Sequence, residues 1–213
     1  MSSLQQGDSV QDVLILTAGG TGREIYDLLG CNSRYNPIGF LDDASPDIRV
    51  KGPLSAWGQY NHCQFISGLG SYKKMPFRRQ FLSGVPLERF TSFCSPLALV
   101  YPSAQLHAET TVIFPYAVIA ANAALAEHTF VYHHAVISHD VSIGAYSMVS
   151  NHACISGNVQ IGEACYIGAN ATINEGMSIG HNSIVASGAT VIHSVPDNSI
   201  YIRPHHVLRN QYS

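Results

Sequence analysis

From position 113 onward the chain carries a branched apolar residue at every sixth place. Ile113, Ile119, Leu125, Val131, Ile137, Ile143, Val149, Ile155, Ile161, Ile167, Ile173, Ile179, Val185 and Val191 make fourteen consecutive hexads without a gap. Four places after most of them stands a second, smaller residue, as in Ala117, Ala123, Thr129, Ala135, Ser147, Ala153, Cys165, Ala171, Ser183 and Ala189. An α-helix would repeat at 3.6 and an open strand at 2, and neither produces strict sixes. A hexapeptide β-helix does, because each hexad is one short strand and one corner. The branched residue points into a narrow prism, and the small one lets the chain turn. Three hexads complete a coil, so residues eighteen apart lie above one another, with coils about 4.8 Å apart as in any sheet. Spacing alone leaves the hand of the coil open. The stretch "VYPSAQLHAETTVI" shows the same grammar with the phase shifted by one, at Val100, Leu106 and Val112, and reads as the entering coil.

The first ninety residues follow another pattern. The apolar run Val13–Leu16 precedes the glycine-rich turn "TAGGTGRE" and a helix expected over about Gly22–Leu29. A second strand ends in "GFLDD" (39–43), a third, "QFISGLG", ends at Gly70, and "KKMPFRRQFL" reads as the start of a helix. Strand–helix–strand alternation predicts a small, Rossmann-like parallel α/β unit with its ligand at the carboxyl ends of the strands. The division expected is an α/β unit over 1–94 and a β-helix over 95–213. No low-complexity linker lies between them, so the two are expected to pack together.

The glycine turn raises the question of a dinucleotide. That fingerprint needs three glycines as G-x-G-x-x-G. From Gly20 the chain reads Gly20-Thr21-Gly22-Arg23-Glu24-Ile25, and the third glycine is missing. What remains is a helix N-terminus with free N–H groups, and Thr21 and Arg23 beside it, suited to phosphate or to a tight turn only. Asp42 and Asp43 follow about twenty residues on, where a carboxylate could meet a ribose or a base.

Composition removes several classes. Fourteen acidic against eleven basic side chains give a net charge of −3, without the basic stripe of a nucleic-acid binder. No apolar run reaches membrane-spanning length, and the first residues lack a signal-peptide pattern. Cys31, Cys63, Cys94, Cys154 and Cys165 are odd in number and have no CxxC spacing, which fits a reducing, cytoplasmic setting. Eight of the eleven histidines fall between 107 and 193, mostly at hexad corners facing water or a neighbouring subunit. The pairs His133-His134 and His205-His206 invite a metal, but no cysteine or carboxylate recurs at a supporting spacing, so no metal is expected.

His139 stands apart, because Asp140 follows it and Gly157 lies eighteen residues on. One coil away, Gly157 leaves room beside the imidazole, and its N–H could face a bound group. A carboxylate next to imidazole fixes its tautomer and favours its use as a base. Asn151, Ala169 and Ser187 form a column of small residues along the neighbouring corner, suited to a long extended ligand.

These motifs together resemble the bacterial sugar acyltransferases of the PglD/NeuD type, over about residues 12–200. The resemblance rests on "GGTGRE", "GFLDD", "SGLGS", "ISHDVSIG" and "SGNVQIG". It implies a left-handed β-helix, a homotrimer, and acetyl-CoA in the groove between neighbouring prisms. It also implies a nucleotide-linked sugar acceptor, with Thr21, Gly22 and Arg23 at the phosphates or sugar, Asp42 and Asp43 at the nucleoside, and Gly70 beneath. His139 would then be the general base and Asp140 the group that raises its basicity, with Gly157, Ala169 and Ser187 along the acyl-CoA. The reaction implied is N-acetylation of an amino deoxysugar; O-acetylation of a sugar hydroxyl and a non-catalytic trimeric scaffold are its rivals. The chain departs from the pattern at Arg23, where many relatives have histidine, and at Met148, where some have a coenzyme-contacting histidine. It departs again in "YIRPHHVLR", where relatives close with G-x-P-A-K; Arg203, His205 or Arg209 would have to substitute.

Overall fold

The computed structural model describes residues 10–202, and Arg203, His205, His206 and Arg209 lie outside the described residues. The N-terminal unit is a four-stranded parallel sheet formed by β1 (Gln11–Leu16), β2 (Tyr35–Leu41), β3 (Val50–Gly52) and β4 (Gln64–Ser67), in the order β3-β2-β1-β4. Helix α1 (Gly20–Gly30) connects β1 to β2 and buries Gly22, Ile25 and Leu29, residues three and four apart on one face. Helix α2 (Met75–Ser83) buries Met75, Arg78 and Leu82 at the same spacing, so an arginine occupies a stripe that should be apolar. The short strand β3 is the one element of this sheet that the sequence pattern does not announce.

Beyond it the chain coils into a left-handed parallel β-helix with three flat walls. The first wall holds seven two-residue strands, beginning at Phe93, Val112, Phe130, Met148, Tyr166, Ile184 and Ile200. The second holds six, from Leu99 to Thr190, and the third five, from Gln105 to Ser178. Partners along each wall are eighteen residues apart through most of the helix, as with Phe130 and Met148 or Val136 and Cys154. All fourteen hexad residues are buried, none more than 4% exposed, in one continuous core with the small second residues.

The left-handed corners account for three of the histidines, His128, His134 and His152. Thirteen positions at intervals of six, from Tyr116 to Gly188, have positive φ, among them His128, His134, Asp140, His152 and Asn158. The left-handed region penalises a side chain, and asparagine, aspartate and histidine bear that penalty better than most. Histidine is therefore recruited to corners for its backbone as much as for its ring. His128 departs from the expectation of a solvent-facing corner: it is 1% exposed, packed against Phe90 and Tyr146. Burial, and then the charge of Arg78, push its imidazole down to about 3, so it is neutral.

The entering coil contains one seven-residue step. Val100 and Leu106 pack in the prism beside Ile119 and Leu125, but the next inward residue is Ile113, not Val112. Val112 faces the other way, into the core that joins the helix to the α/β unit, with Phe114, Phe130, Tyr132, Tyr146 and Met148. The outer face of the first wall is thus apolar because α2 and the sheet lie on it.

Candidate active site

The α/β unit ends its strands in a cavity of about 350 Å3, lined by Thr17, Gly19, Gly20, Thr21, Asp42, Gly68, Leu69, Gly70, Ser71, Lys74 and Arg78. It lies where a parallel sheet places its ligand, at the carboxyl ends of β1, β2 and β4. The N–H groups of Gly20, Thr21 and Gly22 precede the first intrahelical bond, from Arg23 N–H to the Gly19 carbonyl, and form an electropositive rim. Gly22 is required for packing: a Cβ there would collide with the Thr17 carbonyl oxygen.

The predicted ligand residues take unequal places around this cavity. Thr21 and Gly70 line it, and the Thr21 hydroxyl lies 3.3 Å from the Tyr132 hydroxyl of the first wall. Gly22 is buried beneath the turn, and the Arg23 guanidinium folds back to donate to the Ala18 carbonyl at 2.7 Å. The Asp42 carboxylate accepts from the Ala18 N–H at 2.8 Å, from Ala44 at 2.9 Å and from Ser45 at 2.7 Å. Burial works to raise its pKa, but these three N–H groups and nearby Lys74 together hold it below the usual value. Asp43 accepts from the Leu54 N–H at 2.8 Å. Both aspartates therefore brace loops, and Asp42 also borders the cavity. Lys74 and Ser71 border it without having been singled out in the sequence; the only signal was their place just after the third predicted strand.

The His139 pair is built at the edge between the second and third walls. Asp140 occupies a left-handed corner with φ 58°, which turns its carboxylate back toward the preceding side chain. Its Oδ2 lies 2.9 Å from His139 Nδ1, and both side chains are about half exposed. Hydrogen bonds from Asn122 first and then His139 hold the Asp140 carboxyl below its ordinary range. An ionised carboxylate only accepts, so Nδ1 is the donor in this pair and Nε2 is the ring nitrogen left without a protein partner among the described residues. The ring lies over Gly157: a Cβ there would stand 2.5 Å from Cε1 and 2.7 Å from Nε2. The Gly157 N–H has no hydrogen-bond partner among the described residues.

Ala169 and Ser187 lie on a different edge, between the first and second walls, with His134 stacked between Tyr116 and His152 at centroid distances of 4.9 and 4.7 Å. Met148 is fully buried beneath the α/β unit and cannot reach a groove ligand. Among the described residues no three His, Cys, Asp or Glu are grouped to hold a metal ion, and no helix is long and apolar enough to cross a membrane. The α/β unit covers the first wall, and His139 sits on the edge opposite that wall. A single chain does not bring the cavity and the imidazole together.

Comparison with known proteins locates this arrangement. The profile of the PglD N-terminal domain matches residues 12–74, and that of the bacterial transferase hexapeptide (six repeats) matches residues 158–193. A search of curated protein sequences returns no significant match. Among solved structures, the acetyltransferase domain of PglB from Neisseria gonorrhoeae FA1090, in complex with acetyl coenzyme A, superposes with a TM-score of 0.80 at 25% identity. That alignment covers 90% of this chain and 96% of the other. A histidine-to-alanine mutant of GDP-perosamine N-acetyl transferase from Caulobacter crescentus, in complex with CoA and GDP-perosamine, shares the fold at 21% identity and a TM-score of 0.77, over 90% and 93% of the two chains. WeeI from Acinetobacter baumannii AYE does so at 20% identity and a TM-score of 0.77, over 93% and 100%. A PglD N-terminal domain thus leads into transferase hexapeptide repeats, and both halves together are similar to the acetyltransferase domain of PglB, the arrangement of PglD-type hexapeptide sugar acyltransferases.

Proposed function

We propose that the protein transfers an acetyl group from acetyl-CoA to the amino group of a nucleotide-linked amino deoxysugar. The observation that carries this is the His139–Asp140 pair lying over the side-chain-free Gly157 on an open edge. By accepting a hydrogen bond from Nδ1–H, Asp140 keeps that proton on the ring, and Nε2 accepts a proton from the acceptor nitrogen as that nitrogen attacks the thioester carbonyl. The Gly157 N–H is free to steady the oxyanion, after which its collapse breaks the C–S bond and the thiolate of coenzyme A takes the proton that His139 had accepted. The nucleotide end of the acceptor belongs in the cavity beside Thr21, Gly70, Asp42 and Lys74, where the α1 N-terminus and the lysine suit a diphosphate. The solved acetyltransferases with bound acetyl-CoA, or with CoA and GDP-perosamine, support these ligand classes.

The active form is read as a homotrimer. The outward residues of the second wall are Leu99, Val118, Val136, Cys154, Thr172 and Thr190, with Leu99 55% exposed, whereas the third wall presents Gln105, Ala124, Ser142, Gln160 and Ser178. Turning three second walls toward a common axis would bury the apolar face. It would also set the His139 edge of each copy against the Ala169–Ser187 edge of the next, beside that copy's cavity, in a closed head-to-tail ring. Base, coenzyme groove and acceptor cavity would then meet between chains.

Three measurements test this reading. Thiol release from acetyl-CoA, followed over a panel of nucleotide-linked amino and hydroxy sugars, is expected only with amino sugars. Release with hydroxy sugars alone would make the enzyme an O-acetyltransferase, and no release from any acceptor would refute the activity. Co-expression of His139→Ala with Ser71→Trp, which blocks the cavity mouth, is expected to restore about a quarter of the sites by random mixing, although each variant alone is inactive. No restoration would place the whole site in one chain. Gly157→Ala is expected to fold normally, since the ring can swing into solvent, but to lose roughly tenfold to a hundredfold in kcat through misplacement of Nε2. Unchanged kcat would show that the ring does not work over Gly157.

A further inference from the structure

We propose that Asn122 is a positioning residue for the base, its side-chain amide fixing the Asp140 carboxylate in the orientation that seats the His139 imidazole. The inference rests on His139 being the general base. Asn122 lies one coil from Asp140 on the same edge, and the two share left-handed backbone angles, φ 59° and 58°. The Asn122 Nδ2 donates to Asp140 Oδ1 at 3.0 Å, and the other carboxylate oxygen, Oδ2, faces His139 Nδ1. The amide must present its nitrogen, because its oxygen would repel a carboxylate.

A half-exposed aspartate held at one oxygen can still rotate in water. Held at both oxygens, its plane is set, and the direction in which it receives the Nδ1 proton is set with it. The supports continue on either side. The Asn122 N–H donates to Ser103 Oγ at 3.2 Å, and the Asn158 N–H donates to the His139 carbonyl at 3.1 Å. The lowered pKa of the Asp140 carboxyl, with Asn122 as its largest cause, agrees with this geometry without being needed for it.

Asparagine also suits a left-handed corner for its backbone, so the substitution must separate the two roles. Asn122→Gly keeps the backbone unstrained and removes only the amide. The test uses the full-length protein, its His139 ring nitrogens assigned by 15N NMR at pH 8.5 through comparison with His139→Ala. In the wild type the Nδ1–H tautomer is expected; in Asn122→Gly the ring is expected to show a mixture of tautomers, as it should in Asp140→Ala. Thiol release from acetyl-CoA is measured in parallel, with whichever panel acceptor the wild type uses. Asn122→Gly should lower kcat about fivefold to tenfold, the scale of one hydrogen bond, with both KM values held within about twofold. In the Asp140→Ala background it should change nothing further. A wild-type tautomer in Asn122→Gly, or a kcat loss that persists undiminished without Asp140, overturns the proposal. Should His139→Ala still transfer acetyl while the tautomer responds as expected, the failure lies with the assignment of the base and not with Asn122.

Discussion

His139→Ala is expected to lower acetyl transfer by about two to four orders of magnitude, the usual contribution of a positioned general base. In the proposed reaction the acceptor amine must lose a proton as it forms the amide bond, and His139 is the imidazole that lies over Gly157. Asp140 is occupied by Asn122 and His139 itself, and Cys154 points outward from the second wall without a charged partner to activate it. The substitution leaves the fold alone: the imidazole is 57% exposed, and the prism core passes beneath it through Ile137 and Val141. A thermal melt within a degree or two of wild type, unchanged acetyl-CoA binding by calorimetry and nearly absent thiol release would together support the assignment. Activity retained above a few per cent would sink it.

The second large effect is one of stability. Arg78→Ala is expected to destabilise the junction of the two halves by about 3–4 kcal/mol, near the upper range for a single substitution. Arg78 is fully buried and has no carboxylate partner among the described residues. Its Nη1 and Nη2 donate to the carbonyls of Tyr146 and His128, each at 2.6 Å, and its guanidinium lies 4.6 Å from the Phe130 ring centre. Both acceptors are left-handed corners of successive coils, so one planar fork grips two turns of the helix from α2. Burial pushes the guanidinium down to about 10, which leaves it charged at neutral pH, held by carbonyl dipoles and an aromatic face. Removing it strands two buried carbonyls and opens a cavity beside Phe130. For a chain of this size the melting temperature should fall by about 6–12 °C. Arg78→Lys should recover little, since an ammonium lacks the fork. Arg79→Ala, which breaks only the exposed 3.1 Å pair with Glu163, should cost well under about 1 kcal/mol. Equal effects for the two neighbours would refute the clamp.

Much of this molecule is written in its period. A repeat of six states which residue of each hexad goes inward, and every one from Ile113 to Val191 does. It also places Gly157 beside His139 without any knowledge of the hand of the coil. The same rule misplaced Val112, because Val112 and Ile113 are both branched and both buried. Spacing cannot choose between them when a second layer covers the outer face of the wall. The glycine turn was legible as the N-terminal rim of a helix. The aspartates after β2 were not, because residue type and distance along the chain do not reveal that backbone N–H groups already engage the Asp42 and Asp43 carboxylates. Arg78 could have been noticed, since it falls in step with Met75 and Leu82. A charge in an apolar stripe is more often a register error than a clamp, and only the two carbonyls above it distinguish the cases.

The sequence by itself determined the coil, its core and the meeting of His139, Asp140 and Gly157, because these follow from adjacency and from an eighteen-residue period. Which wall carries the α/β unit was decided only in three dimensions. A strict hexad repeat makes the three walls equivalent, and the choice falls to the outward residues Val112, Phe130 and Met148 and to the arginine that grips the corners beside them. That choice turns the glycine-turn cavity away from His139, so that two features legible in one sequence lie on different sides of one chain.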